Sequence, residues 1–148
     1  MDKIVFITGA SSGIGAGCAR KFASQGASLI LNARNVNKLS ALKEELEKQY
    51  GAKIYLLPFD VRDRKAATSA LESLPKEWQS IDILVNNAGL VIGTDKEQEG
   101  SLDEWDIVID TNIKALLAMT RLIVPGMVER KRGHIINIGS IAGDAAYP

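Results

Sequence analysis

Short apolar runs alternate along the chain with longer segments whose apolar residues recur at helical spacing. The runs are Ile4–Ile7, Ser28–Leu31, Ile54–Phe59, Ile81–Val85 and Ile135–Ile138, and their alternation with helical segments predicts a β-α-β-α order. Each run is apolar on both faces, as strands are when helices cover both sides of a parallel sheet. Right-handed crossovers then predict an α/β fold, a doubly wound parallel sheet with strand order 3-2-1-4-5. Between the second and third runs, Val36, Leu39, Leu42, Leu46 and Tyr50 share one helical face. Lys43, Glu44, Glu45, Glu47 and Lys48 lie elsewhere, which predicts a surface helix ended by Gly51. A longer stripe runs from Leu102 through Trp105, Ile109, Ile113, Leu116 and Leu117 to Met127. The capping box Ser101-x-x-Glu104 opens it, and Pro125 is expected to kink or shorten it.

Composition narrows the classes of partner. The 148 residues carry 18 Lys+Arg against 18 Asp+Glu, a net charge of +0, with 46% apolar residues, which fits one domain with one core. Zero net charge gives no global field to draw nucleic acid or an anionic membrane, so a small molecule is the expected partner. Only Asp2 and Lys3 separate Met1 from Ile4–Ile7, a run too short for a secretion signal or a membrane span. The lone Cys18 excludes an internal disulfide and fits a reducing compartment, so a cytoplasmic location is expected. His134 has no neighbour at metal-ligand spacing and reads as structural, so no metal is expected. Trp78 and Trp105 read as packing residues, and Lys131 and Arg132 as complements to a helix C-terminus.

Chemistry begins directly after the first run, at Thr8-Gly9-Ala10-Ser11-Ser12-Gly13-Ile14-Gly15. In a strand-turn-helix context Gly9 allows the sharp exit from the strand, Gly13 lets backbone amides approach a diphosphate, and Gly15 lets helix and strand pack closely. The helix start then offers free N–H donors and the positive end of a dipole to an anion. No Gly-Lys-Ser/Thr follows, so the run is not a P-loop. At the end of the second run stand Asn32-Ala33-Arg34-Asn35. An NAD site would hold the adenosine ribose with a carboxylate there; instead Ala33 leaves space and the Arg34 guanidinium matches a ribose 2′-phosphate. NADP is therefore the expected cofactor, with the solvated-arginine alternative placing Asn35 as the cap of the next helix.

Together these features resemble the short-chain dehydrogenase/reductase family over essentially the whole chain. The glycine run resembles the family's T-G-x-x-x-G-x-G motif, Asp60-Val61 its adenine-binding pair, and Asn86-Asn87-Ala88-Gly89 its N-N-A-G motif, which steadies the sheet and lines the cofactor pocket. Leu74-Pro75, Glu77-Trp78, Ile81-Asp82-Ile83, Asp110-Thr111-Asn112 and Pro125-Gly126-Met127-Val128-Glu129-Arg130 are similar to the branch of NADP-dependent 3-hydroxy acid dehydrogenases acting on serine and L-allo-threonine. The resemblance implies that Gly9, Ala10, Ser11, Ser12, Gly13 and Ile14 hold the diphosphate region. Arg34 and Asn35 would take the extra phosphate, Asp60 and Val61 the adenine, and Asn87, Ala88 and Gly89 the neighbouring ribose.

The family's active site uses Asn, Ser, Tyr and Lys. Asn112 matches the asparagine that holds a proton-relaying water at a local backbone kink, although Ala115 stands where the family often has glycine. Ser140 matches the serine that binds and orients the substrate oxygen. The tyrosine and lysine belong to a Tyr-x-x-x-Lys helix that does not occur in residues 1–148; Tyr147 reads as a loop residue. The expectation is therefore one dinucleotide-binding domain over 1–148, the N-terminal part of a longer subunit, nearly inactive alone. Its rival is a nucleotide-binding fragment without catalysis. The last run lacks cover on one side, so either a longer parent or association would protect that edge. The resemblance further implies a homotetramer with the Ser101 helix in an interface.

Overall fold

The computed structural model describes residues 2–93 and 95–144; Tyr147 lies outside them. Five parallel strands, β1 (Ile4–Ile7), β2 (Ser28–Leu31), β3 (Ile54–Leu56), β4 (Ile81–Asn86) and β5 (His134–Asn137), form one sheet in the order β3-β2-β1-β4-β5. This is the doubly wound order expected from the crossovers. Helices α1 (Gly13–Ser24) and α2 (Val36–Tyr50) bury one face, over Val5, Ile7, Leu29, Leu31 and Val85. On the other face, α3 (Arg64–Glu72) and α5 (Ala115–Glu129) close over Phe6, Ile30 and Leu84. Helix α4 (Leu102–Ile109) buries no residue and leads into α5.

Local chemistry sets the boundaries. Asn35 caps α2 by accepting from the Lys38 amide at 3.0 Å, and Gly51, at φ +61°, ends it. Asp63 caps α3 in the same way. At α4 the Ser101 hydroxyl accepts from the Glu104 amide at 3.4 Å, one arm of the expected capping box. Strand β3 stops three residues short of the Ile54–Phe59 run because Pro58 has no N–H for the ladder. The carbonyls of Leu57 and Phe59 turn instead to the buried amide of Asn32, at 3.0 and 3.1 Å.

The expected break at Pro125 is not where the helix departs from regularity. Pro125 sits inside α5, which continues to Glu129. Losing one backbone bond there is offset by a buried stripe of Ala115, Met119, Ile123 and Met127 that holds the helix to the sheet. The interruption falls earlier, in a π-helical turn over Asp110–Lys114. There the Ala115 amide reaches back to the Asp110 carbonyl, and the Thr111 hydroxyl donates to the Ile107 carbonyl at 2.7 Å. Strand β5 pairs only with β4 and exposes His134 and Asn137.

Leu39, fully buried beneath α2, tests this packing. Leu39→Ala should cost about 2–5 kcal/mol in urea unfolding, whereas Val36→Ala, at the exposed first position of the same helix, should stay within about 0.5 kcal/mol.

Candidate functional site

The strand order reverses between β1 and β4, and the carboxyl ends of these strands open the crevice where such sheets hold ligands. Its floor is a knot of hydrogen bonds. Thr8, buried just beyond β1, accepts with its hydroxyl from the amides of Asn87 and Ala88 at 3.0 and 2.9 Å. The Asn87 side-chain amide donates to the carbonyls of Thr8 and Gly9, both at 3.0 Å. Gly9 is thereby fixed at φ +63°, and Ala10, fully buried, donates its amide to Asn32 at 2.9 Å. Gly15 packs against this turn so closely that a Cβ there would lie 2.3 Å from the Gly9 carbonyl oxygen.

Above the knot α1 begins without a cap. Ser12 is extended and its side chain makes no capping bond, unlike Asn35, Asp63 and Ser101 at the starts of α2, α3 and α4. The first backbone bond is Ala16 N–H to the Ser12 carbonyl, at 3.2 Å, so the amides of Gly13, Ile14 and Gly15 are not used by the helix. Ser12, Gly13 and Ile14 are exposed, Ser11 is partly so, and a Cβ on Gly13 would meet nothing within 4 Å. Open space therefore lies over unused donors at a positive dipole end, and these residues fit a diphosphate.

Arg34 leaves the end of β2 exposed, with no hydrogen bond or ion pair among the described residues. Asn35 beside it spends its side-chain oxygen on capping α2. Asp60 follows β3 and is gripped by Arg62 through contacts of 2.7 to 3.2 Å. That bond holds the Asp60 carboxyl below the usual aspartate range, with a smaller contribution from the charge of Arg34. Val61 next to it is buried and lines a narrow cleft with Thr8, Asn86 and Ala88.

Asn112 and Ser140, the two positions expected at an active site, stand in the π-helical turn and just after β5. Asn112 stands in the π-helical turn, so the backbone departs from α geometry there even with alanine at position 115. Its amide is bonded to Leu90 at both ends: it accepts from the Leu90 N–H at 2.8 Å and donates to the Leu90 carbonyl at 2.7 Å, with Gly89 packed beside it. Ser140 follows β5, whose register sets Asn137 against Asn86, so the chains leaving β4 and β5 emerge side by side. The Ser140 hydroxyl is exposed and accepts from the Ala142 amide at 3.1 Å, with its own proton uncommitted among the described residues.

The amino-acid sequence gave no separate role to Thr8, Asn32 or Arg62, and placed Asn86 only within the motif that steadies the sheet. Asn86 donates to Thr120 at 3.0 Å and to Asn137 at 2.9 Å, tying β4 to α5 and β5. The signal for Thr8, Asn32 and Asn86 was a polar residue at the end of an otherwise apolar run.

Residues 3–148 match the family model for short chain dehydrogenases. The chain is 49% identical over 144 residues to the NADP-dependent 3-hydroxy acid dehydrogenase YdfG of Escherichia coli K12, covering 97% of this chain and 56% of that protein. The crystal structure of serine dehydrogenase from Escherichia coli superposes with a TM-score of 0.91 at 49% identity, covering 97% of this chain and 65% of that one. The closed form of serine dehydrogenase complexed with NADP+ gives 0.89 at 47% identity, with coverage of 97% and 56%. The chain thus spans little more than half the length of the curated relative it matches.

Two outcomes test the site's construction. Gly15→Ala should destabilise the chain by about 1–3 kcal/mol through its clash with the Gly9 carbonyl, while Gly17→Ala, in open space on the same helix, should be neutral or stabilising by up to about 1 kcal/mol; urea unfolding reads both. Because its folded carboxyl is depressed, Asp60 contributes stability above the usual aspartate range and loses it as the pH falls through the folded value. Arg62→Gln should move that carboxyl back up and flatten this acid-side loss, read by a carbon-detected NMR titration alongside unfolding curves.

Proposed function

The chain belongs to the short chain dehydrogenase family, and on that premise we propose that its protein is an NADP-dependent oxidoreductase acting on a small 3-hydroxy acid such as serine or L-allo-threonine. The observation that carries the cofactor reading is the pairing of unused amides at Gly13–Gly15 with an unpaired Arg34 at the end of the neighbouring strand. The first attracts a diphosphate, and the second offers a guanidinium fork to a ribose 2′-phosphate where NAD would need a carboxylate. The relatives named for NADP and for 3-hydroxy acid or serine dehydrogenation support the same assignment.

Bound NADP would supply the hydride acceptor or donor. The residues of this chain do the rest of what is assigned to them here. Gly9, Ala10, Ser11, Ser12, Gly13 and Ile14 form the diphosphate cradle, Asp60 and Val61 border the adenine, and Asn87, Ala88 and Gly89 border the adjoining ribose. The uncommitted Ser140 proton is positioned to donate to a substrate oxygen and to stabilise charge there. Asn112 fixes the loop after β4 and marks the π-helical turn as the relay position. No tyrosine in residues 1–148 is followed four places on by lysine, so these residues do not themselves supply the family's acid/base pair. That observation favours a second reading, in which the chain binds nucleotide without turning substrate over.

We further propose that 1–148 acts as one dinucleotide-binding unit, that the protein is cytoplasmic, and that it assembles as a homotetramer. Exposed Leu102, Ile109, Ile113 and Leu117 recur at near-helical spacing along α4, the π turn and α5 and supply an apolar face for such contact. Among the described residues no helix is long and apolar enough to cross a membrane.

Fluorescence titration tests the cofactor reading. The chain should bind NADPH in preference to NADH, and Arg34→Asp should weaken NADPH about 10- to 100-fold, as loss of about 1.5–3 kcal/mol of charged hydrogen bonding requires, while sparing NADH. Failure to bind either nucleotide contradicts the assignment. An assay with L-allo-threonine separates the two readings, since turnover is expected only of the dehydrogenase.

A further inference from the structure

Arg34 and Asp60 leave the adjacent strands β2 and β3 at the same edge of the sheet, and the charge of Arg34 is felt at Asp60. An unpaired carboxylate at this place would oppose a phosphate site in two ways. It would draw the Arg34 guanidinium into an ion pair, and it would repel the doubly charged 2′-phosphate across a short distance. Asp60, however, is already paired. Asp60 Oδ1 accepts from the Arg62 backbone amide at 3.0 Å and from its Nε at 3.1 Å, and Oδ2 accepts from Nε at 3.2 Å and from Nη2 at 2.7 Å. A carboxylate offers about four lone-pair directions, and Arg62 addresses both oxygens along with its own backbone. Arg34 is left without a partner among the described residues.

Resting on the cofactor reading above, we infer that Arg62 is a specificity-determining residue: by neutralising Asp60 it keeps Arg34 open and so sets the preference for the phosphorylated dinucleotide. Arg62 acts through Asp60 and Arg34, as a positioning residue. The neighbouring charges leave Asp60 as the group released when Arg62 is removed. Asp110, the other acid that acts on Arg62, keeps its own partner, since it pairs with Lys114 at 2.7 Å.

The test is the ratio of the NADH to the NADPH dissociation constant, read by nucleotide fluorescence on the full chain, with circular dichroism confirming the fold of each variant. Arg62→Gln should lower that ratio about tenfold at low salt, because it frees one full charge beside the phosphate, and the loss should shrink as salt screens it. Arg62→Lys, which keeps the charge, should retain most of the preference. The double variant Asp60→Asn with Arg62→Gln should regain it, and Asp60→Asn alone should not reduce it, which keeps the test available even if Arg62→Gln fails to fold. Equal weakening of NADPH and NADH in Arg62→Gln would reveal a merely structural role and overturn the inference, as would a double variant that stays unselective. A wild-type chain that does not prefer NADPH overturns the cofactor reading and this inference together; a selective wild type with equal losses overturns this inference alone.

Discussion

The hydrogen-bond knot between Thr8 and Asn87 fixes where everything else at the crevice can stand. Two strands distant in sequence but adjacent in the sheet end at the same level. One buried hydroxyl and one side-chain amide join the backbones that leave them. Buried backbone groups at a strand end cost free energy unless paired, and here the pairs come from side chains because the ladder has run out. With those carbonyls held inward, the turn at Gly9 has one conformation. The first turn of α1 then meets the sheet at a distance only glycine at position 15 permits.

From that constraint follows an asymmetry among the helices. Asn35, Asp63 and Ser101 satisfy the starts of α2, α3 and α4 with their own side chains, whereas α1 begins without such a cap, with Ser12, Gly13 and Ile14 exposed. An uncapped helix start forfeits about 1 kcal/mol of local stability, and a core beneath it of buried Val5, Ile7 and Ala19 makes that tolerable. Arg34 shows the same economy at the next strand: a cation held without a partner at an edge where the nearby acid is already neutralised. Both features have a plain physical reading as groups reserved for an anion.

The strands and their order were legible in the amino-acid sequence because runs apolar on both faces admit few arrangements, and α2 ran from Val36 to Tyr50 as its periodicity and Gly51 required. Less legible were features that depend on a partner far along the chain. Nothing local marks Asn32 as the anchor for the carbonyls of Leu57 and Phe59, nor Asn86 as a link to Thr120 and Asn137. Pro125 drew attention as the helix breaker, yet packing of Met119, Ile123 and Met127 carried the helix through it. The π turn at Asp110–Lys114 left no comparable mark in the apolar pattern and was foreshadowed only by the family-type asparagine at Asn112. At the candidate site the glycine run and Arg34 could be read from position alone, while the saturation of Asp60 by Arg62 needed coordinates.

We propose that unused amides at the start of α1 grip a dinucleotide whose extra phosphate Arg34 selects. Amide-resolved NMR of the chain during titration with NADPH tests this most directly. The largest shifts are expected at the backbone amides of Gly13, Ile14 and Gly15, together with the Arg34 side chain. Shifts confined to the opposite edge of the sheet, around Leu74 and Arg130, with none at the head of α1, would contradict it.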